Sequence, residues 1–507
     1  METEVTSGKL IVKNSILSIF GKLIPMLLAI VTMPYVINAL GDTKAGIFQL
    51  CWILLGYFNL FDFGLSRGLV KFTSEYLANR REAEIKDWLT TVNRILWLIA
   101  IPLVLIFLFA LPSWMTQQRS IPSDLVAETR LAAILITLYL PFLLTFSSYN
   151  GILETYQRFS VINRYQILFG VLWYVVPVAL LLFTPNLTLL VGMLVLIRLI
   201  HWLIIRIQSQ QLLSKNAGVF RYDMLVQLKK YSRWIVIINV IALLMTQMDR
   251  FLVYHWLSSA ALAWYNTPFD IVLKVTIIPM AFSSVLFPAI AHLFNGEPER
   301  AHFMYKAYVH VTILLVFPIC LVLSYFAPEI LQQWLGLSLS SDRLEVFLRE
   351  STLPMKLFGI GVFFNSIALI PSSYLQSSGQ PSLIARLHLV ELPLYLFALW
   401  WVIGPYGLPG VAFVTSLRFI LDALMLVYLA DQSIHVRSSE IIKTQFLMIL
   451  GLFLLSGSLL SLSILPRLLI VVAALTIYVY YVWIKSMSAE EKNYLLRWFR
   501  QYTGNAP

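Results

Sequence analysis

The chain of 507 residues is 59% hydrophobic and 12% charged, with a mean hydropathy of +0.79 and a formal net charge of +11. A water-soluble domain carries about 25% charged residues, so this composition excludes a soluble enzyme and makes lipid the main solvent. The two cysteines, Cys51 and Cys320, lie far apart in apolar runs, which excludes a disulfide framework and a Cys-x-x-Cys metal or redox centre.

A bilayer core about 30 Å thick needs about 20 apolar residues per helical span. Runs of that length recur along the whole chain, whereas the alternating pattern of a membrane barrel is absent. The expected fold class is therefore an all-α polytopic membrane protein of about fourteen transmembrane helices. At the N-terminus, Lys9 and Lys13 precede a hydrophobic stretch that is too long for a signal-peptide core and has no small-residue cleavage site, so it is expected to stay as the first span. The spans predicted in order are 14–39, 46–77, 88–111, 126–154, 160–183, 188–212, 231–256, 261–293, 303–327, 347–374, 383–403, 409–430, 444–463 and 467–486.

With both termini placed in the cytoplasm, the inner loops and tails hold about nineteen Lys and Arg, among them Arg80, Arg81, Lys86, Lys229 and Lys230, against about five outside. These basic residues set topology and meet anionic headgroups, so nucleic acid is not an expected partner. All outer loops are short, the longest being 112–125 and 328–346, and they offer no room for an extracytoplasmic domain.

The polar interruption 214–230 divides the chain. Residues 1–213 are expected to form an N-terminal lobe of six spans, 214–430 a second lobe of six, 431–486 two accessory spans, and 487–507 an amphipathic cytoplasmic tail. Met33 to Leu50 weakly resembles Met248 to Asn266, at an offset of about 215 to 217. Two parallel six-helix repeats predict a pseudo-twofold axis along the membrane normal and a central cavity.

A charge at mid-bilayer costs about 2.5 to 3.5 kcal/mol on insertion scales, so each intramembrane charge should face a cavity or a partner. The predicted spans carry many. Asp270 and Lys274, and Arg418 and Asp422, are four residues apart, and His388 and Glu391 three. Such spacing fits structural pairs, and for Asp270 and Lys274 it fits a cavity wall equally well. After neutralisation an excess of cations remains, with Lys22, Arg67, Arg250, Lys274 and Lys356 as the candidates for binding an anionic substrate. Asp62, Asp249, Asp270 and Glu391 are the candidate cavity acids or ion-coupling groups. Arg94 and Arg164 belong to the same cationic excess, and for them and Arg198 the reading as side chains that reach lipid headgroups stands beside it. The histidines form no zinc-like spacing, no nucleotide-binding or hydrolase motif occurs, and neither a metal nor a cofactor is expected. Many spans contain proline, among them Pro25, Pro34, Pro141, Pro177, Pro279, Pro318, Pro354 and Pro393, which supply candidate kinks.

Three stretches carry a family resemblance: Leu40 to Ala78 with Asp62, Gly64, Leu65, Ser66, Arg67 and Gly68; Gln247 to Asn266 with Asp249 and Arg250; and Tyr374 to Leu424 with the Gly379, Gln380, Pro381 turn, the segment YGLPGVAF and Arg418. Together they resemble the polysaccharide transporter, or O-antigen flippase, family of the multidrug/oligosaccharidyl-lipid/polysaccharide exporter superfamily. The resemblance implies a two-lobed bundle in the bacterial inner membrane that moves an undecaprenyl-diphosphate-linked oligosaccharide to the periplasmic face by alternating access. It implies no enzyme activity, and partners that are lipid-linked oligosaccharide, membrane lipids, and a glycan polymerase with a chain-length regulator. The energy source left open is a proton or sodium gradient. Alternatives are a lipid II or multidrug transporter on the same fold, and a membrane glycan polymerase or ligase, which should show a large outer loop that this chain lacks.

Overall fold

The computed structural model describes residues 8–57, 65–117, 121–214, 216–293, 297–434 and 464–486, together with 490 and 492. All regular structure among them is helical: α1 (Gly8–Tyr57), α2 (Leu65–Ala78), α3 (Ile85–Thr116), α4 (Ser123–Thr155), α5 (Phe159–Leu181), α6 (Leu187–Gln210), α7 (Tyr222–Leu252), α8 (Ser259–Leu273), α9 (Ile277–Leu293), α10 (Pro298–Tyr325), α11 (Ala327–Gly336), α12 (Ser341–Ser377), α13 (Pro381–Ile434) and α14 (Ile464–Tyr481). Nine described segments are long and apolar enough to cross a membrane. The expected thirteenth span and almost all of the tail lie outside the described residues.

Two of the long helices are each two helices joined at a single glycine. Gly41 (φ 74°, ψ 161°) interrupts α1 and Gly407 (φ 54°, ψ −141°) interrupts α13. A side chain on Cβ disfavours positive φ, which explains glycine at both corners. The prolines of the spans lie inside unbroken helices, for example Pro141 in α4 and Pro318 in α10. The expected outer loop 328–346 is largely helical, being α11 and the start of α12.

Contacts divide the chain into two compact units, Met1–Asn266 with Leu337–Ser340, and Thr267–Gly336 with Ser341–Pro507. The sequence boundary at 213/214 thus falls inside the first unit. The reason lies in the connector before α7, which is strapped to the first turns of α3. Lys86 Nζ donates to the Ser214 carbonyl at 2.8 Å, Val219 N to Asp87 Oδ1 at 2.8 Å, and Arg221 Nη1 to Glu84 Oε2 at 2.8 Å. Arg221 also grips Asp223 at 2.9 Å, and this hydrogen bond holds the exposed Asp223 carboxyl below its ordinary value. Because a depressed carboxylate loses its contribution only as pH falls through the lowered value, the contact between Arg221 and Asp223 persists through the neutral range.

Within the first unit, the two similar segments pack on each other. A Cβ on Gly46 would lie 1.7 Å from the Ser259 carbonyl oxygen, so the backbones of α1 and α8 are in direct contact there. Nearby, Trp264 Nε1 donates to Asp42 Oδ2 at 3.2 Å. Shifting Gly46 and Ser259 by the repeat offset of about 217 gives Ala263 and Asp42, one residue from that hydrogen bond. The second segment also breaks its helix at the matching place, with a π turn over Val253–Leu257 and extended Ser258 facing the role of Gly41. The faint sequence repeat is therefore a self-complementary contact.

In the second unit, α12 is the central element. Gly359 leaves no room for a Cβ beside Ser324 of α10, and Gly361 none beside Ser416 of α13. At the same crossings Ser324 Oγ donates to the Lys356 carbonyl and Ser416 Oγ to the Leu357 carbonyl, each at 2.8 Å. Small residues that admit close backbone approach, joined by serine hydrogen bonds, are the expected means of helix association in lipid, where no hydrophobic effect separates one apolar helix from its solvent. Phe317, Phe363 and Tyr478 fill the adjoining core and tie α14 to α10.

Candidate functional site

Arg250, the cation expected to face substrate, is 3% exposed and held by the chain's own groups. Its Nε donates to Asn266 Oδ1 at 2.7 Å, and its Nη1 donates to the Thr246 carbonyl at 2.5 Å and to Gln247 Oε1 at 2.8 Å. Asp249 Oδ1 lies 3.9 Å from Arg250 Nη1, and Asp249 Oδ2 accepts from Tyr265 Oη at 2.7 Å. The pair is neutral as a whole. Its polar atoms join the end of α7 to α8 across the π turn, so it rigidifies the break described above.

Arg198 has a different setting. It stands at the middle of α6, eleven residues from the helix start, which is about 16 Å of rise. The helix is long and apolar enough to cross a membrane, and Arg198 stands near its centre. The guanidinium lies over the Trp173 ring at 4.2 Å, and Nε has no hydrogen-bond partner among the described residues. No carboxylate pairs with Arg198 among the described residues. His201, one turn on, stacks on Phe169 at 4.3 Å with Nδ1 unpartnered. The result is an intramembrane cation in an aromatic setting, the combination that suits an anion or a sugar face. The sequence placed Arg198 among the cations that can reach lipid headgroups; the structure adds its aromatic neighbours and its place near the centre of α6.

The remaining candidates are dispersed. Asp62 lies outside the described residues, and of Lys22 only its place in α1 is described. Arg67 is exposed on α2, and its charge reaches Glu154, which accepts from Asn150 Nδ2 at 3.0 Å. Arg94 and Arg164 are exposed. Asp270 and Lys274 are both half-buried, and Lys274 opens the short 3-10 turn between α8 and α9. Lys356 is half-buried beside an ion pair between Glu329 of α11 and Arg467 of α14. That pair joins residues 138 apart in sequence and no helical spacing announces it.

In α13 the structure re-sorts the expected pairs. Asp422 does not pair with Arg418; it meets His388 Nε2 at 3.1 Å across the two halves of the helix. Arg418 lies over Tyr395 and Phe419, 5.0 and 4.4 Å from the ring centres. Glu391 completes the group, and its ligating oxygen, that of Asp422 and a nitrogen of His388 lie within 4.8 Å of one another. Helical spacing sees only neighbours on one helix face, whereas the corner at Gly407 brings the second half alongside the first.

The family of polysaccharide biosynthesis proteins has a sequence model that matches residues 11–294, more than half of the chain. The chain belongs to this family. A protein of Shigella flexneri provisionally named an O-antigen transporter is 27% identical over 424 residues, covering 83% of this chain and 97% of its own length. Among solved structures, the lipid II flippase MurJ in an inward closed conformation matches with a TM-score of 0.69 at 12% identity, over 93% of this chain and 99% of that one. An inward-facing multidrug resistance MATE family transporter of the MOP superfamily matches with a TM-score of 0.67 at 12% identity, over 82% and 98%. These likenesses establish the fold, an all-α polytopic transporter fold, and bear out the family resemblance seen in the sequence. This member of the polysaccharide biosynthesis family is accordingly a multi-pass membrane protein.

Proposed function

We propose that this chain is a flippase that carries an undecaprenyl-diphosphate-linked oligosaccharide from the cytoplasmic to the periplasmic face of the bacterial inner membrane by alternating access, for O-antigen or exopolysaccharide assembly. The observation that carries the reading is Arg198, a guanidinium at mid-span without a carboxylate partner among the described residues, in a chain of the polysaccharide biosynthesis family. A fixed cation in low dielectric attracts a diphosphate strongly, and the neighbouring rings offer stacking faces to sugars. The name of the Shigella relative and the lipid II flippase fold support a lipid-linked glycan as the substrate class. A cationic drug gains nothing from a fixed guanidinium, which disfavours drug export. Released on the outer face, such a substrate would pass to a glycan polymerase and its chain-length regulator.

The test uses the full chain in vesicles that contain an undecaprenyl-diphosphate oligosaccharide with a fluorescent sugar. A membrane-impermeant quencher then reads the fraction on each face. Exchange between the faces is expected to be much faster than in protein-free vesicles, and slower again when the diphosphate is removed from the probe. Equal rates with and without the chain would remove the reading.

A further inference from the structure

The helical hairpin of α13 contains an acid that the hydrogen-bonding pattern leaves open. Its halves run antiparallel in one register, since the His388 to Asp422 contact at 3.1 Å and the Tyr395 Oη to Thr415 Oγ1 contact at 3.2 Å share a centre near residue 405. Glu391 projects into this seam between them. Both of its carboxylate oxygens are shielded from solvent, and neither accepts a hydrogen bond among the described residues. The charged groups that act on it are Asp422, His388 and Arg418, all from this hairpin. On the first half, Leu389, Val390 and Leu394 are 48%, 62% and 65% exposed, so the outer side of the helix at this level is wholly apolar. Glu391 is ten residues from Pro381, about 15 Å of rise, which places it near the middle of a bilayer core about 30 Å thick.

Charge counting then decides what the group takes up. With His388 neutral, Glu391 and Asp422 contribute two negative charges and Arg418 one positive. One further positive charge balances them. Two carboxylates within reach of each other in low dielectric do not stay ionised together, and sharing a proton between them removes the conflict. A hard metal cation favours a shell of oxygen ligands, whereas here an imidazole and a guanidinium occupy the surroundings. A proton on Glu391 also turns an acceptor without a donor into a donor facing Asp422 and the imidazole.

We propose that His388, Glu391 and Asp422 together bind one exchangeable proton, held by the Glu391 carboxylate and shared with the His388 and Asp422 pair, and that release of this proton couples the chain to a proton gradient. The coupling rests on the flippase reading, but proton binding itself does not. In the bound state the proton adds to a carboxylate oxygen, and on release it leaves by the same oxygen to water, with no other bond changed.

The experiment is infrared difference spectroscopy of the full chain in lipid nanodiscs, between acidic and alkaline buffer. Wild type is expected to show a protonated-carboxyl band that titrates with pH, and Glu391→Gln to lose it. Glu391→Asp, which keeps the acid, should retain a shifted band and so separates loss of the site from a folding defect. His388→Gln should move the titration midpoint. A Glu391→Gln spectrum superposable on wild type overturns the proposal. So does a wild-type band that answers to replacing potassium by sodium at fixed pH and not to pH. In vesicles with the fluorescent diphosphate probe, an imposed pH gradient should accelerate exchange by wild type and leave Glu391→Gln unaffected; equal acceleration of both overturns the coupling. If wild type moves no probe at all, the flippase reading fails while the infrared result stands by itself.

Discussion

The two deepest arginines of the first unit call for opposite outcomes on substitution. Arg250→Ala removes the donor to Asn266, Gln247 and the Thr246 carbonyl and strips Asp249 of its countercharge in a nearly water-free site. Breaking a buried ion pair from one side costs about 3 to 5 kcal/mol. The expected result is reduced abundance of folded protein in the membrane, measured by fluorescence-detected size exclusion, before any effect on transport is read. Arg198→Leu removes a charge that has no acidic partner among the described residues, so abundance should be preserved. Probe exchange in vesicles should fall sharply, and Arg198→Lys should recover only part of it because the ammonium lacks the planar fork that matches phosphate. Unchanged exchange by Arg198→Leu would reduce Arg198 to a packing partner of Trp173. The sequence made both residues visible as intramembrane charges, yet it favoured Arg250. Asp249 next to Arg250 supplies the countercharge, but what holds the guanidinium is Asn266, sixteen positions on across a π turn that no helical spacing describes. The same limit misassigned Asp422, whose partner His388 is 34 positions away across a corner.

At the scale of elements, close backbone contacts are the features most exposed to a single methyl group. Gly46→Ala would drive a Cβ to 1.7 Å from a main-chain carbonyl, which has no rotamer through which to yield. Overpacking of this kind costs about 1 to 3 kcal/mol or more, so the melting temperature of the purified chain should drop clearly. Gly56→Ala is the control, because nothing lies within 4 Å of the added methyl and the backbone is helical. A Gly46→Ala protein as stable as Gly56→Ala would show that α1 and α8 do not meet closely. Gly407→Ala meets no atom either, but its positive φ penalises any Cβ by about 1 to 2 kcal/mol. Spans were legible from hydropathy because burying backbone in lipid requires long apolar helices, and the positions of α3 to α6 follow the expected ranges within a few residues. The corner residues were less legible. Proline is the familiar interrupter, but membrane helices tolerate it where neighbouring groups re-satisfy the carbonyl it frees four residues earlier, and Pro141 and Pro318 lie inside unbroken helices. A positive φ has no such remedy, and therefore marks the true corners.

For the molecule as a whole, orientation follows from charge, and the proposed direction of transport depends on that orientation. The strap that fixes the connector before α7 is built from Arg81, Glu84, Lys86, Arg221 and Asp223, the same basic loops that the inner side was expected to hold. Lys and Arg resist translocation, so these loops should remain in the cytoplasm and the connector after α3 should lie outside. Two positions read this directly, because both are exposed: Gln117, just past α3, and Asn216, in the connector before α7. Cys51 and Cys320 are buried and would be replaced by alanine or serine first. In that background Gln117→Cys should react with a membrane-impermeant maleimide added to spheroplasts, and Asn216→Cys only after the membrane is opened. The reverse pattern would invert the topology and, with it, the face to which the proposed flippase would deliver its substrate. Labelling of both positions in intact spheroplasts would break the link between the basic strap and the cytoplasm, since one strap cannot be anchored on both faces. The outcome fixes more than a map, because the proposed export to the outer face requires the basic strap to lie in the cytoplasm, and the same two cysteines decide whether it does.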